Sequence, residues 1–347
     1  DYYAVQFSGA TWHPVCYDLT TDQKREVSRR KVRSKLRAIK SAIRLIKPKY
    51  YIPSAGPAIF PFLDPELSFG HDNIFVHQPD LHQFLQNEKT KLIYPRPGDS
   101  ITTEVESIPI EPPTPDELKA LKKSLSCEFF LQSDANFKVN KLIAEIDNRL
   151  QKIHDLKFSE CPKVIFDWGS GGVEIDLNNS KIAEIDLANY ESPKKYMRII
   201  ATKSYFSLMA DPDYRWQDIY LSLRAEVRRE PDVFNTFVNI FLFSDTSNIR
   251  EGFTTTLNIN DERILVVDPS SGKNYEINRF CPHNGADLKN AKIDELGNII
   301  CPRHSWKFDL GKGGICHSAT ATLGAVEVAQ TISMCEGFSA RLLADKS

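Results

Sequence analysis

Two stretches near the C-terminus, Cys281-Pro282-His283-Asn284-Gly285 and Cys301-Pro302-Arg303-His304-Ser305-Trp306-Lys307-Phe308-Asp309, decide how this chain reads. They set out Cys-x-His, then seventeen residues, then Cys-x-x-His. Each stretch offers one thiolate donor and one imidazole donor. With Cys281 and Cys301 on one iron and His283 and His304 on the other, the set suits a [2Fe–2S] cluster. Pro and Gly make both stretches tight loops, where main-chain N–H groups could face the cluster sulfurs. Residues 262–268 (ERILVVD) and 275–280 (YEINRF) have strand character, and Pro269-Ser270-Ser271-Gly272 between them has turn chemistry, so a small antiparallel scaffold is expected. Tetrahedral zinc takes the same donors and stays open as an alternative. Zinc fingers, however, usually pair Cys closely with Cys and His with His. With seven Cys and eight His in the chain, one close Cys/His pair is unremarkable, whereas two in this order are much rarer by chance.

Over roughly residues 245–345 this pattern resembles the Rieske family. Respiratory-chain members carry a further cysteine in each cluster loop, joined as a disulfide, and the corresponding positions here hold Ala286 and Arg303. The resemblance is therefore to the oxygenase or ferredoxin type. It implies a [2Fe–2S] cofactor that delivers electrons to an oxygen-activating metal, an electron-donating reductase or ferredoxin as partner, and a small-molecule substrate. Ser305 stands where many oxygenase-type members have Gly. Trp306 and Phe308 are expected to pack beneath the cluster, with the rings of His283 and His304 forming the exit for the electron.

A chain of 347 residues predicts two or three domains. Forty-four basic against 46 acidic side chains argue against a general nucleic-acid binder, and no apolar run reaches the length of a membrane span. Cys16, Cys127, Cys161, Cys316 and Cys335 lie outside the motif, an odd and irregular set that predicts reduced core thiols and a cytoplasmic setting. A homo-oligomer stays open.

The chain starts in strand character, Asp1 to Phe7 (DYYAVQF), expected to be buried. The stretches QFSGATWHP and YYIPSAGP, with a long helix over 23–47 between them, resemble the C-terminal portion of metallo-β-lactamase-fold proteins, particularly those fused to Rieske domains. The His-x-His-x-Asp-His motif of that fold is absent from this sequence. Residues 1–111 are therefore expected to be the C-terminal part of such a domain, an αββα segment, either in a truncated product, the preferred reading, or in a piece of a longer protein. A mononuclear or dinuclear iron would then have its main ligands upstream. The combination is similar to the CMP-N-acetylneuraminate hydroxylase group, with the domain order reversed.

In the 23–47 helix, Leu36, Ile39, Ile43 and Ile46 form one apolar stripe. Eleven Lys and Arg from Lys24 to Lys47 occupy the rest, with Glu26 as the acidic residue there. A solvated surface is the preferred reading, and a docking face for an anionic partner or membrane surface is the alternative. His77 and His82 form His-x4-His, with Asp72 shortly before, as a weak candidate second iron site. Asp72 is at the wrong distance for the oxygenase pattern, since Ile74 holds the expected acidic position. An ordinary surface loop is the competing reading, and His13 between Trp12 and Pro14 reads as part of a packed turn.

Residues 112–235 read as an α/β middle domain. Pro112-Pro113-Thr114-Pro115-Asp116-Glu117 marks a linker into a helix, with Thr114 as N-cap and Glu117 closing a capping box. A helix follows over 136–156, with Phe137, Val139, Leu142, Ile143, Ile146 and Leu150 as its apolar face. Strands come next at 163–168, 173–177 and 197–202, with Gly169, Gly171 and Gly172 as turns, and then helix, turn, helix over 203–224. This order is similar to the sterol-carrier-like fold. Tyr205, Phe206, Trp216 and Tyr220 read first as core. Residues 236–347 complete the chain as an antiparallel β Rieske domain, so the fold class is α+β multidomain. The function expected is a Rieske-dependent monooxygenase or hydroxylase, with a stand-alone electron carrier and a zinc-stabilised scaffold as alternatives.

Overall fold

The computed structural model describes residues 1–8, 12–54, 75–96, 98–99, 108–125, 137–158, 160–258, 262–282, 285–303, 305–317, 319 and 321–329. It is a mixed α/β chain of two compact units, which change over between Leu257 and Asn258.

The first unit opens with a three-stranded parallel sheet of β1 (Tyr2–Gln6), β2 (Tyr50–Ser54) and β3 (Lys91–Leu92), in that order. Helix α1 (Thr21–Ile46) crosses between β1 and β2. Thr20 and Gln23 close its capping box, and it stops at Lys47, whose φ of 53° is left-handed, followed by Pro48. Leu36, Ile39 and Ile43 pack with Phe7, Tyr51 and, from α2 (Gln78–Leu85), Leu81 and Leu85. Two expectations are corrected here. The first strand is not buried: it is the edge of its sheet, exposed at alternate residues, and Phe7 after it carries the burial. Ile46 is 53% exposed, because the last turn of α1 runs past the sheet that covers the stripe.

A five-stranded sheet forms the centre of this unit, ordered β6 (Lys181–Ile185), β5 (Gly172–Asp176), β4 (Lys163–Asp167), β7 (Tyr196–Ile200), β8 (Glu226–Glu230). The hairpin from β4 to β5 needs its glycines: a Cβ on Gly172 would lie 2.5 Å from the Phe166 carbonyl oxygen. The capping box at Thr114 forms as expected, with the Thr114 N–H donating to Glu117 at 2.7 Å ahead of α3 (Pro115–Leu125). Helices α4 (Val139–Gln151), α5 (Lys203–Met209), α6 (Trp216–Leu221), α7 (Thr236–Phe243) and α8 (Ile249–Asn258) share the core of the sheet.

That core also takes in residues from outside 112–235. Trp12, Val15, Cys16 and Tyr17 belong to it, and the Val227 N–H donates to the Cys16 carbonyl at 2.7 Å, so Tyr17 bridges to the β8 edge. Trp12 packs at 4.9 Å from Tyr220 and 4.8 Å from Phe243. Rings this large need more apolar cover than a three-stranded layer offers. Phe237, Phe241, Leu242, Ile249 and Phe253 enter the same core, so the helices after residue 235 pack with the central sheet.

Arg149 holds those helices. Only 1% exposed, its guanidinium donates to the carbonyls of Phe241 at 2.5 Å and Ser244 at 2.6 Å and lies over the Trp216 ring at 4.0 Å. It satisfies carbonyls that the end of α7 leaves without helical partners, and burial drives its pKa down to about 10.

The second unit is antiparallel. It contains a three-stranded sheet ordered β15 (Val326–Val328), β10 (Asn274–Asn278), β9 (Arg263–Val267), and a four-stranded meander β11 (Lys292–Ile293), β12 (Asn298–Ile300), β13 (Lys307–Asp309), β14 (Ile315–Cys316). Tyr275, Ile277, Leu288, Ile299, Phe308, Leu310 and Leu323 are among its buried side chains. The expected strand pair and turn are present, the Asp268 N–H donating to the Lys273 carbonyl at 2.9 Å.

Candidate metal centre

The two cysteine stretches fold as the same hairpin built twice. Phe280 pairs with Asp287 across the first, and Ile300 with Lys307 across the second, so each encloses six residues starting at the cysteine. In each, the cysteine N–H donates to the carbonyl five residues on: Cys281 to Ala286 at 2.9 Å and Cys301 to Trp306 at 2.8 Å. In each, the residue four positions after the cysteine is left-handed, Gly285 with φ 61° and Ser305 with φ 59°. A left-handed residue turns the chain back so that this bond closes, which explains why Gly is suited to the position. Ser305 takes it against that preference.

Both thiols sit at the base of their hairpins, Cys281 and Cys301 each 1% exposed. Salt links brace the bases. Arg279 donates to Asp287 at 2.6 Å and to Glu262 at 2.5 Å, and stacks at 5.0 Å over Phe280. Its hydrogen bond holds the Asp287 carboxyl down at about 2. Lys307 donates to Asp294 at 2.8 Å, and Asp294 also accepts from the Leu296 and Asn298 N–H groups and from Asn298 Nδ2. That set, Lys307 first, lowers the Asp294 carboxyl to about 2. Phe308 is fully buried and Trp306 half-buried, their ring centroids 6.3 Å apart.

Of the expected ligands, Cys281 and Cys301 are thus placed, while His283 and His304 lie outside the described residues. Asp72 also lies outside them. His77 is buried at the N-cap of α2, whereas His82 is exposed, its Nδ1 3.2 Å from the Tyr94 hydroxyl. Among the described residues no three His, Cys, Asp or Glu side chains gather as a metal site. His13 packs edge-on against Tyr17 at 4.7 Å, and burial first, then Lys31, Arg229 and Arg30, lowers its pKa to about 2, so it stays neutral in a packed turn. Burial pushes the Cys16 and Cys161 thiols up to about 12, as suits core residues. Sequence reasoning missed the equivalence of the hairpins, although the signal was present in Gly285 and Ser305, each four positions beyond its cysteine.

The donor chemistry fits a [2Fe–2S] group: two buried thiols from matched loops, with the histidines spaced within those loops. Residues 239–328 match the family model of the Rieske [2Fe-2S] domain. A protein of Mycolicibacterium smegmatis named for a Rieske 2Fe-2S iron-sulfur centre is 24% identical over 90% of this chain and 64% of its own length. A similarly named protein of Mycobacterium tuberculosis is 25% identical over the same shares. The chain thus spans 64% of the length of these mycobacterial relatives. Pheophorbide a oxygenase of rice chloroplasts (Oryza sativa subsp. japonica) is 37% identical over 51 residues, 15% of this chain and 10% of that protein. A sterol carrier protein-2 like-3 structure from Aedes aegypti covers 26% of this chain and 85% of its own at 18% identity and a TM-score of 0.23, too low to bear on the fold. The chain therefore carries a Rieske [2Fe–2S] domain, its cofactor is a [2Fe–2S] cluster, and the role of that domain is iron–sulfur electron transfer.

Proposed function

We propose that this domain relays single electrons to an oxygen-activating iron elsewhere in the intact protein, an oxygenase or hydroxylase of a small organic substrate. The observation that carries the reading is the pair of matched hairpins, each closed by a main-chain bond from its cysteine, with Ala286 and Arg303 at the positions that hold a disulfide in respiratory Rieske proteins. The local likeness to an oxygenase supports it. A [2Fe–2S] centre bound here supplies one-electron redox chemistry.

The residues of the chain do the rest. Cys281 and Cys301 would hold one iron and His283 and His304 the other; the left-handed turns at Gly285 and Ser305 set the loops, and Trp306 and Phe308 would support the second. Arg303 is exposed, and beside the ligand positions it would meet a docking partner. Electrons would come from a reductase or ferredoxin in a reducing, cytoplasmic setting. The second iron would have its main ligands in the metallo-β-lactamase-like part that residues 1–111 continue, with His77, His82 and Asp72 as the weaker local set, and the sterol-carrier-like middle domain would lie between.

Purified protein is expected to contain about two irons and two acid-labile sulfides per chain and to show a Rieske-type EPR signal on reduction. Stoichiometric zinc with no sulfide would overturn the cluster. In the full-length protein with reductase and oxygen, Arg303→Ala should keep the spectrum and slow substrate oxidation. Unchanged turnover, or a full-length protein that passes electrons but oxidises nothing, would leave a stand-alone carrier.

A further inference from the structure

The central sheet has two unlike faces. Val164, Phe166, Val173 and Ile175 point into the core. Alternation therefore turns Lys163 of β4, Glu174 and Asp176 of β5, and Lys181 and Ala183 of β6 to the opposite face. There the strand register sets Lys181 beside Asp176 and Ala183 beside Glu174. Together with Ile182, these residues line a cavity of about 270 Å³. Pockets for drug-sized ligands run to roughly 300–1,000 Å³, so this one suits a smaller molecule.

The charges in the cavity are not evenly paired. Asp176 accepts from Lys163 Nζ, from the Asn179 N–H at 3.1 Å and from Asn179 Nδ2 at 2.7 Å, which commits both of its oxygens. Glu174 Oε2 accepts from the Tyr190 hydroxyl, while Oε1 lies 3.6 Å from Lys163 Nζ, beyond hydrogen-bond length. Oε1 thus keeps acceptor capacity. Lys181 is exposed, and the carboxylate opposite it in register, Asp176, is already taken. Among the described residues its ammonium has no ion-pair or hydrogen-bond partner. The wall therefore offers one open ammonium on β6 and one open carboxylate oxygen on β5, at diagonal positions about 7–8 Å apart along the backbone. Ala183 leaves the space between them clear. A ligand of one charge sign would meet a like charge in a wall of two lysines and two carboxylates, whereas one carrying both signs is matched throughout.

We propose that this cavity binds a small α-amino acid, its carboxylate on Lys181 and its ammonium on Glu174 Oε1. Acid and amine on one carbon, each with a charge-assisted hydrogen bond of about 2.8 Å, span that diagonal. Lys163 and Tyr190 are positioning residues that fix Glu174. The binding draws on neither the cluster nor its redox chemistry.

The test is saturation-transfer NMR on the whole 347-residue chain with L-alanine, propionate and ethylamine, the last two each keeping one of alanine's charged groups. L-Alanine is expected to bind saturably, with Kd on the order of 1 mM for two charge-assisted contacts. Propionate and ethylamine should each bind about tenfold more weakly. Lys181→Gln and Glu174→Gln should each weaken alanine binding by about the same factor. Circular dichroism checks that both variants fold, and exposed Lys181 keeps the test available if the Glu174 variant does not. The readout is independent of iron content. No saturable alanine binding, propionate or ethylamine bound as tightly as alanine, or undiminished alanine binding by a folded variant would each overturn the proposal.

Discussion

The first and second cysteine hairpins share a frame and a Cys-Pro start, and differ in the other four of their six side chains. Both enclose six residues, close on the cysteine N–H and turn left-handed at the fourth position beyond the cysteine. The closing carbonyl belongs to Ala286 in one and to Trp306 in the other; the turn is Gly285 in one and Ser305 in the other. Arg279 braces the first from outside its base, whereas in the second Lys307 of the closing pair reaches Asp294. A metal loop made this way is specified by main-chain closure. Side chains are left to support, to shield or to meet a partner.

The comparison can be broken most directly at the thiols. Cys281→Ser and Cys301→Ser should each abolish the cluster, read as loss of iron, sulfide and visible absorbance, because on the proposed reading each hairpin would supply one thiol to the same iron. Far-UV circular dichroism should retain the signal of the first unit, whose core contains neither cysteine. If one variant kept a full complement of iron, the hairpins would not be equivalent.

A smaller effect sharpens the contrast at the left-handed turns. Gly285→Ala should destabilise the domain by about 1 kcal/mol, because a Cβ is disfavoured there. Ser305→Gly should stabilise it by less than about 1 kcal/mol, since removal of that strain is offset by greater freedom of the unfolded chain. Thermal melts followed through the cluster absorbance measure both, and shifts of the same sign would show that the two turns do different work.

An effect of similar size, read through pH, lies at the braces. Asp294→Asn should cost about 1 kcal/mol by weakening the bonds to Lys307 and to the turn amides. The carboxyl is lowered in the folded state from 3.8 to about 2, so its contribution is present above pH 4 and lost as pH falls toward 2. A wild-type acid melt should therefore show a slope in that window that the variant lacks. An identical slope would assign the acid sensitivity to other groups, such as Asp287.

Much of this was legible locally. The Cys and His spacing, the Thr114 capping box, the apolar stripe of α4 and the turn at 269–272 depend on neighbours in sequence, and the structure contains the box, the stripe and the turn. Strands β6 (KIAEI) and β8 (EVRRE) escaped notice because edge positions leave their charged residues in water and blur the alternation. Arg149 gave no signal either, since a buried guanidinium is tolerated only where distant carbonyls come to meet it.

The sequence by itself determined the donor set and the cofactor that suits it, because ligand chemistry and spacing are properties of adjacent residues. Only the tertiary structure decided that Trp12 to Tyr17 and the helices after residue 235 complete the central core, that the two cysteine loops are one hairpin repeated, and that α1 half-buries its lysines and turns its arginines out, Arg25 excepted. Those outcomes depend on which apolar surfaces find cover and which carbonyls need donors, and such partners are set by contacts far apart in the chain.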